Sequence, residues 1–393
     1  MHIFLVGGAL RDRLLGRPVS DHDWLVVGAT PEEMTARGYL PVGRDFPVFL
    51  HPRTREEYAL ARTERKSAPG YRGFTVHAAP DVTLEQDLAR RDLTVNAIAL
   101  PAEHVSADGR FDPAPEHLAD PFHGQRDLRD KVLRHVTDAF REDPVRILRV
   151  ARFAARFDDF TVAPETLALM REMVAAGEVD ALVPERVWQE LSRGLMETRP
   201  SRMFEVLRDC GALAVLLPEI DTGGHLMAVV DTGARLQRSL AVRFACLVND
   251  LSRGAAPGIA ALHAVCDRWR VPVDIRELAE VVAREQAHIH GSDTLDATGL
   301  VRLLERCDAF RKPARFAEVL LACECDAHGR LGVAPTALIA YRQRPRLLAV
   351  LATAAAVPTD VVARAAQQAG ATGPKIGEAI HRARVDAVAA SLA

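Results

Sequence analysis

The first residues of the chain contain two short apolar runs separated by a glycine pair, and this unit constrains the fold most. Ile3–Val6 and Trp24–Val27 are rich in β-branched and aromatic residues, which is typical of strands. Gly7-Gly8 ends the first run, and the absent side chains there let backbone N–H groups approach a phosphate. The pattern predicts a strand, a turn, a short helix and a second strand in one compact unit.

Two carboxylates, Asp21 and Asp23, stand at the start of the second run. Side chains on a strand alternate between its faces, so these two are predicted to point the same way. Neighbouring carboxylates repel each other unless a cation lies between them, and oxygen ligands suit a hard cation such as Mg²⁺. Arg11 follows the glycines by about one helical turn and can add a charged fork to a phosphate. Together these residues indicate a metal-dependent nucleotidyl-transfer site.

Each feature also has a simpler interpretation when it is taken alone. A glycine pair after a strand is most often only a tight turn, and an Asp-x-Asp pair is common on exposed loops. Arg11 and Asp12 could belong to a solvated helix face. The order and spacing of these features within one unit favour the joint interpretation.

Length and composition limit the class of protein. With 393 residues the chain exceeds one ordinary core, so two or three domains are expected. Hydrophobic and charged contents of 48% and 26% are typical of a globular protein, and no apolar run reaches a membrane span. Charged residues begin too early for a signal peptide, and six cysteines show no disulfide-framework spacing. A cytoplasmic protein is therefore expected.

The charge distribution favours a nucleic-acid partner of defined shape. A net charge of −3 argues against a polycation that binds any nucleic acid. Between Arg126 and Arg156, however, there are nine Lys or Arg residues against five Asp or Glu. A second basic stretch, Arg62–Lys66, is equally consistent with a solvated arginine-rich surface. Local basic surface on a nearly neutral body suits recognition of a particular RNA.

The fold class expected from the pattern is α+β, with a mixed head followed by an all-helical remainder. Strand-like runs end near residue 140, Pro101–Gly124 is loop-rich, and helical periodicity dominates from Asp143 onward. The helical region is divided into short helices at Pro184, Pro200, Pro218 and Gly223-Gly224.

A second cluster of charged residues, Arg90-Arg91-Asp92, follows a predicted helix over Leu84–Leu88. Arginines at such a turn beside the carboxylate pair can clamp a triphosphate. The alternative is that Asp92 caps the next helix and the arginines are exposed. The neighbouring strand motifs favour the clamp.

A third cluster begins at Asp143-Pro144, a typical helix start. At about 100° per residue, one face of the following helix carries Arg146, Arg149, Arg152 and Arg156, and the opposite face carries Ile147, Leu148, Ala151, Ala154 and Ala155. The apolar face is predicted to pack, and the arginine row to face a cleft or an anion.

Four stretches of the sequence resemble the signatures of one enzyme family. They are GGALRDRLLG, SDHDW, RRDLTVNA and EDPVRILRVARFAAR, in the family's order, and the resemblance covers residues 1–220. The family is that of the bacterial CCA-adding enzymes, class II tRNA nucleotidyltransferases of the DNA polymerase β superfamily. Its members add C, C and A to the 3′ end of tRNA without a nucleic-acid template.

The resemblance implies domains, substrates and partners. The expected domains are a nucleotidyltransferase head with a small mixed sheet (1–140), a helical neck and body with the base-reading helix (141–221), and a helical remainder (222–393). CTP and ATP are the expected substrates, Mg²⁺ the cofactor, and the 3′ end and acceptor arm of tRNA the partner. No membrane contact is expected, and the chain is expected to be a monomer or a homodimer.

The resemblance also implies roles for individual residues. Asp21 and Asp23 are expected to be the catalytic residues and the Mg²⁺ ligands. The residues expected to bind the ATP or CTP nucleotide are Gly8, Arg11, Arg91, Asp143, Arg146 and Arg149. Among these, Arg91 is assigned to the phosphates, and Asp143 with Arg146 to the base. Residues 61–65 match the flexible loop that helps change specificity from CTP to ATP.

The pairing of Asp143 with Arg146 has an independent physical basis. Adenine and cytosine each present an amino donor beside a ring-nitrogen acceptor, which a carboxylate and a guanidinium complement. Uracil and guanine present a carbonyl oxygen to the carboxylate instead, a mismatch that polar sites reject strongly. One difficulty is that Asp143 is also expected to cap the helix.

The helical remainder departs from one branch of the family. Members of that branch carry a metal-dependent phosphohydrolase domain with an adjacent His-Asp pair, but here Asn249 precedes Asp250. Because an amide is a poor transition-metal ligand, we expect a retained but hydrolytically inactive domain, in which His225 survives from an upstream ligand position. Cys323, Cys325 and His328 lack a second cysteine pair, so a plain helix is expected there.

Three rival functions are weaker than CCA addition. A poly(A) polymerase shares the head motifs, but the glycine pair lies close to residue 1 and no long basic tail follows. A non-catalytic RNA-binding protein has no need of the intact Asp21, Asp23, Arg91 and Arg146. A phosphohydrolase is disfavoured by Asn249.

Overall fold

The computed structural model describes residues 1–19, 21–42, 47–66, 74–106, 109–220, 223–252, 258–330 and 340–392. The strands are β1 (His2–Val6), β2 (Asp23–Val27), β3 (Leu40–Val42), β4 (Val48–Leu50), β5 (Glu57–Leu60), β6 (Thr63–Lys66), β7 (Phe74–His77), β8 (Ala99–Pro101), β9 (Val132–Leu133) and β10 (Thr161–Val162). The first helices are α1 (Gly8–Leu14), α2 (Pro31–Ala36), α3 (Leu84–Ala89), α4 (Gly124–Arg129), α5 (Val145–Arg156), α6 (Pro164–Ala175), α7 (Pro184–Leu195), α8 (Ser201–Asp209) and α9 (Ala212–Leu216). The later helices are α10 (Gly224–Arg235), α11 (Leu240–Val248), α12 (Gly258–Trp269), α13 (Val273–His290), α14 (Ala297–Arg306), α15 (Pro313–Arg330), α16 (Gln343–Ala355), α17 (Thr359–Gln368) and α18 (Pro374–Leu392). Short 3₁₀ helices span Thr94–Asn96, Ala102–His104, Pro115–His117, Asp138–Glu142, Glu178–Ala181, Asn249–Ser252 and Ser292–Thr294.

The chain divides into two compact units. The first unit comprises Met1–Glu190 and Arg202–Leu216, and the second comprises Leu191–Ser201 and Leu217–Ala393. The first unit contains the sheet, and the second is built from helices. The predicted α+β class is confirmed, whereas the predicted division at residues 140 and 221 stays a prediction.

A six-stranded mixed sheet forms the core of the first unit, in the order β3-β4-β5-β2-β1-β8. β1 is antiparallel to both of its neighbours, β2 and β8, and β2 is parallel to β5. Its inner residues pack in an apolar cluster that includes Val6, Leu25 and Leu88. The register pairs Val6 with Asp23, so this carboxylate lies at the end of β1 where the glycine pair begins.

The start of β2 corrects one step of the sequence-based argument. The strand begins at Asp23, and Asp21 precedes it in irregular backbone, so strand alternation does not set the direction of both carboxylates. Gly7 has a φ of 73°, in the left-handed region, and turns the chain from β1 into α1.

Several predicted helix boundaries are confirmed. α3 ends one residue before Arg90, α7 begins at Pro184, α8 follows Pro200 directly, and α10 begins at Gly224. The Asp143 side chain accepts a hydrogen bond from the Val145 backbone N–H at 3.2 Å, as a residue that caps α5 should.

In the second unit α10, α11, α13 and α15 pack on one another around a buried core. Cys323, Cys325 and His328 all lie on α15 and are buried, so the helix predicted for this stretch is present. All six cysteines are buried free thiols. Within the described residues no single helix is long and apolar enough to cross a membrane. The bent pair of α16 and α17 has the length and apolar composition of a membrane span when the two helices are taken together.

Candidate active site

The carboxylate pair lies beside the glycine turn of the first unit. A Cβ atom on Gly7 would lie 3.9 Å from Asp23 Oδ2 and 3.2 Å from Arg91 Nη1, so three sequence motifs meet at this point. Burial raises the pKa of Asp23 above its ordinary value, the charge of Asp21 raises it further, and Arg91 lowers it. Two like charges in a partly buried position are stabilised when a cation joins them.

Arg91 is held at the turn by two protein contacts. Its Nη2 donates to Asp87 Oδ2 at 3.3 Å, and its Nη1 donates to the Asn96 carbonyl oxygen at 3.4 Å. Its buried Nε has no hydrogen-bond partner within the described part of the chain. A buried guanidinium N–H without a partner favours an acceptor supplied from outside the protein, such as a phosphate oxygen.

Asp87 is a buried anchor that sequence reasoning missed. Its carboxylate binds Arg90 at 2.6 Å and Arg91 at 3.3 Å, and it accepts the backbone N–H of Arg62 at 3.3 Å. Burial alone would raise the pKa of Asp87, but the charges of Arg90 and Arg91 bring it below its ordinary value. The Arg90 guanidinium therefore binds groups of the protein itself, the Asp87 carboxylate and the Arg62 carbonyl oxygen. Of the two arginines in the predicted clamp, Arg91 is the one that lies at the glycine turn.

Arg11 lies inside the protein and not on a solvated helix face. It is 4% exposed, stacks on the rings of Phe153 and Phe157 at 5.0 and 5.2 Å, and donates to Asn96 Oδ1 at 2.7 Å. It also forms an ion pair with Asp12, which is itself buried. A Cβ atom on Gly8 would lie 3.5 Å from Arg11 Nη2, so the guanidinium supports the glycine turn from within.

Asp92 bridges the Arg90-Arg91-Asp92 turn to α5. Its Oδ1 accepts from the Leu93 backbone N–H at 2.8 Å and from Asn96 Nδ2 at 3.0 Å. The alternative of a helix cap with exposed arginines is wrong, because Leu93 is the N-cap of the next helix and both arginines are shielded. Its Oδ2 pairs with Arg149 at 2.7 Å. Burial would raise the pKa of Asp92, but Arg149 and the Asn96 bond bring it far below its ordinary value.

The arginine row of α5 faces protein groups. Arg149, Arg152 and Arg156 pair with Asp92, Glu190 and Asp12 respectively, at 2.6–2.8 Å. Arg146, 7% exposed, donates to the Ala139 carbonyl oxygen at 2.7 Å. The predicted anions are therefore largely carboxylates of the chain itself, and the row joins α5 to its surroundings.

Asp143 has a partner that the sequence did not reveal. Arg186, in the first turn of α7, donates from Nη1 to Oδ1 at 3.0 Å and from Nη2 to Oδ2 at 2.8 Å. The two residues are 43 positions apart, and no local pattern marks Arg186 among the other arginines.

A separate polar cluster occupies the second unit, where Asn249 replaces the expected histidine. The buried Asp326 accepts from Asn249 Nδ2 at 3.1 Å and lies 3.0 Å from His290 Nε2 and 3.6 Å from His225 Nε2. Tyr341 Oη lies 2.9 Å from the other ring nitrogen of His290. No group of three or more His, Cys, Asp or Glu side chains in the described ranges is placed to hold a metal ion. The side chain of Asp250 lies outside the described residues.

Comparison with known proteins agrees with this geometry. Residues 3–134 match the poly(A) polymerase head domain family, and residues 159–223 match a family described as the probable RNA- and SrmB-binding site of polymerase A. The multifunctional CCA protein of Variovorax paradoxus (strain S110) is 76% identical, over 99% of each chain. The chain belongs to the multifunctional CCA protein family.

Another relative matches the whole length of the chain, and solved structures share its fold. The protein of Polaromonas naphthalenivorans (strain CJ2) is 63% identical, over 100% of this chain and 99% of its own. The Bacillus stearothermophilus CCA-adding enzyme in complex with CTP has a TM-score of 0.68 at 24% identity, over 99% of this chain and 89% of that one. The Thermotoga maritima CCA-adding enzyme complexed with tRNA has a TM-score of 0.63 at 20% identity, over 100% and 92%.

Proposed function

We propose that the chain adds and repairs the 3′-terminal CCA of tRNA, using CTP and ATP and releasing pyrophosphate, and that the first unit carries the reaction. The observation that supports this most is the meeting of Asp23, Gly7 and Arg91 at one turn, in a member of the multifunctional CCA protein family. Poly(A) polymerase activity is not favoured, because the relatives that match over the whole chain are CCA proteins.

Asp21 and Asp23 are the proposed Mg²⁺ ligands and catalytic residues. The residues fit a hard cation, because both ligands are carboxylates and the pKa of Asp23 is raised by burial and by the charge of Asp21. Mg²⁺ commonly takes one or two carboxylates and completes its shell with water and substrate phosphates. When bound, it supplies charge stabilisation at the α-phosphate and activation of the tRNA 3′-hydroxyl.

The triphosphate is proposed to lie against the glycine turn. Gly7 and Gly8 have no side chain to keep a phosphate away from the turn, and Arg91 is the proposed phosphate donor through its buried Nε. The Arg11 guanidinium is buried, bonded to Asn96 and close to Gly8. We therefore propose that Arg11 acts on the nucleotide by holding the Gly7-Gly8 turn in place.

Asp143 and Arg146 are proposed to read the amino edge of cytosine or adenine. Asp143 accepts from the amino group, and Arg146 donates to the ring nitrogen. Arg149 completes this site from the same helix face, where Asp92 fixes its guanidinium. Choosing between C and A requires a change in pocket size as the 3′ end of the tRNA advances. Residues 61–65, which run into β6, are the segment proposed to contribute to this change.

The test is incubation of a tRNA transcript lacking CCA with Mg²⁺ and each nucleotide in turn, followed by sequencing of the products. We expect C, C and A to be added and addition to stop there. A long run of A would identify a poly(A) polymerase, and absence of pyrophosphate release would contradict catalysis.

The proposed location is the cytoplasm, and a monomer or a homodimer is the proposed state. Six buried free thiols are typical of a reducing compartment. Cell fractionation and measurement of the mass in solution test these two proposals.

A further inference from the structure

Asp143 is already engaged on both oxygens in this structure. Oδ1 accepts from the Val145 backbone N–H and from Arg186 Nη1, and Oδ2 accepts from Arg186 Nη2. A carboxylate offers about four lone-pair directions, so one acceptor direction, on Oδ2, is left after these three bonds. One carboxylate can therefore cap α5 and still accept from a ligand.

The Arg186 contact differs from an ordinary surface ion pair. Both side chains are largely shielded, at 28% and 21% exposure, and the guanidinium uses two parallel bonds. A bidentate fork fixes the plane of the carboxylate as well as its position, which a single bond cannot do. Because a base edge is recognised in its own plane, the orientation of Asp143 decides which edges fit.

We propose that Arg186 is a specificity-determining positioning residue, whose fork aims Oδ2 of Asp143 at the amino group of the incoming cytosine or adenine. This inference rests on the proposed base-reading role of Asp143. Arg146 is positioned in a similar way, since its Nη1 donates to the Ala139 carbonyl oxygen. Asp143, the proposed acceptor, and Arg146, the proposed donor to the base, are thus both held by residues outside α5 before a nucleotide binds.

Lysine at position 186 separates charge from geometry. A lysine keeps one positive charge but has no planar fork, so it can hold Asp143 in place without fixing its plane. Alanine removes both. If the plane matters, Arg186→Lys should lose most of the selectivity that Arg186→Ala loses.

The experiment compares Arg186→Ala, Arg186→Lys and Asp143→Ala with the unchanged protein, on a tRNA transcript lacking CCA. The matched control is Arg193→Ala, an exposed arginine on the same helix. The measured quantity is the ratio of kcat/KM for CTP to that for UTP, together with KM and kcat separately. Thermal unfolding confirms that each variant is folded.

We expect the CTP-to-UTP ratio to fall on the order of tenfold in both Arg186 variants, mainly through KM for CTP, and to stay unchanged in Arg193→Ala. If Arg186→Ala folds and keeps its selectivity while Asp143→Ala loses it, the proposed role of Arg186 is overturned and the base-reading role of Asp143 stands. Unchanged selectivity in Asp143→Ala overturns the proposed base reader itself. If Arg186→Lys keeps full selectivity, a positive charge near Asp143 is sufficient for selectivity, and the proposal that the arginine fork fixes the plane of the carboxylate is overturned.

Discussion

The two units place carboxylates in opposite electrostatic surroundings. In the first unit, Asp21 and Asp23 are like-charged neighbours, and burial raises the pKa of Asp23. In the second unit, Asp326 is surrounded by the Asn249 amide and the His290 imidazole, which satisfy it with groups of the chain itself. The first arrangement gains from an added cation, whereas the second has hydrogen-bond partners without one. We therefore propose a cation site at Asp21 and Asp23, where two like charges adjoin, and a structural hydrogen-bond network at Asp326.

Removing one carboxylate of the first cluster should have the largest effect. We expect Asp23→Asn to lower the rate of CCA addition by about 1,000-fold or more, because an amide cannot replace an anionic ligand at the proposed metal. The matched control is Asp112→Asn, whose carboxylate is 96% exposed. Unfolding temperature and tRNA binding should stay close to those of the unchanged protein, and substantial residual activity in Asp23→Asn would sink the assignment.

Removing Arg91, whose Nε has no hydrogen-bond partner in the described part of the chain, should have the next largest effect. We expect Arg91→Ala to reduce kcat by about 100-fold, the usual cost of losing one donor that stabilises charge in the transition state. Arg13→Ala, at a side chain that is 50% exposed, serves as the control. Steady-state kinetics with saturating tRNA measure both variants. An Arg91→Ala rate equal to the control's would show that the guanidinium only supports Asp87.

In the second cluster, loss of the carboxylate should affect stability instead of catalysis. Asp326→Ala removes the carboxylate that accepts from Asn249 Nδ2 and lies 3.0 Å from His290 Nε2, which costs about 1–3 kcal/mol of unfolding free energy. Denaturant unfolding measures this loss, with Asp274→Ala on the exposed face of α13 as the control. CCA addition by the folded variant should be preserved. A stability equal to that of the control would contradict the structural role of the network.

The smallest expected signal is hydrolysis by the second unit. With Asn249 bonded to Asp326, we expect negligible phosphatase or 2′,3′-cyclic phosphodiesterase activity, even with added Ni²⁺, Co²⁺ or Mn²⁺. Release of phosphate and opening of a cyclic nucleotide are measured with each metal. Robust metal-stimulated hydrolysis that is lost on changing His225 or Asp250 would overturn the contrast between the two clusters.

The local structure around the candidate site could be predicted from the sequence. Strand patterns, the glycine turn at Gly7, the helix before Arg90 and the start of α5 after Asp143 all depend on residues close together in the chain. The metal pair Asp21 and Asp23 was inferred from the local pattern, and the family resemblance added the base-reading role of Arg146. These roles stay predictions for the kinetic tests.

What the sequence by itself determined is therefore the set of elements and the residue types that carry the chemistry. Only the tertiary structure decided which cation meets which carboxylate. It buried Arg11 between two phenylalanine rings, turned the α5 arginines toward Asp92, Glu190 and Asp12, and joined Arg186 to Asp143. The physical reason is that helix and strand patterns arise from neighbours in sequence, whereas an ion pair depends on the packing of elements that are distant along the chain.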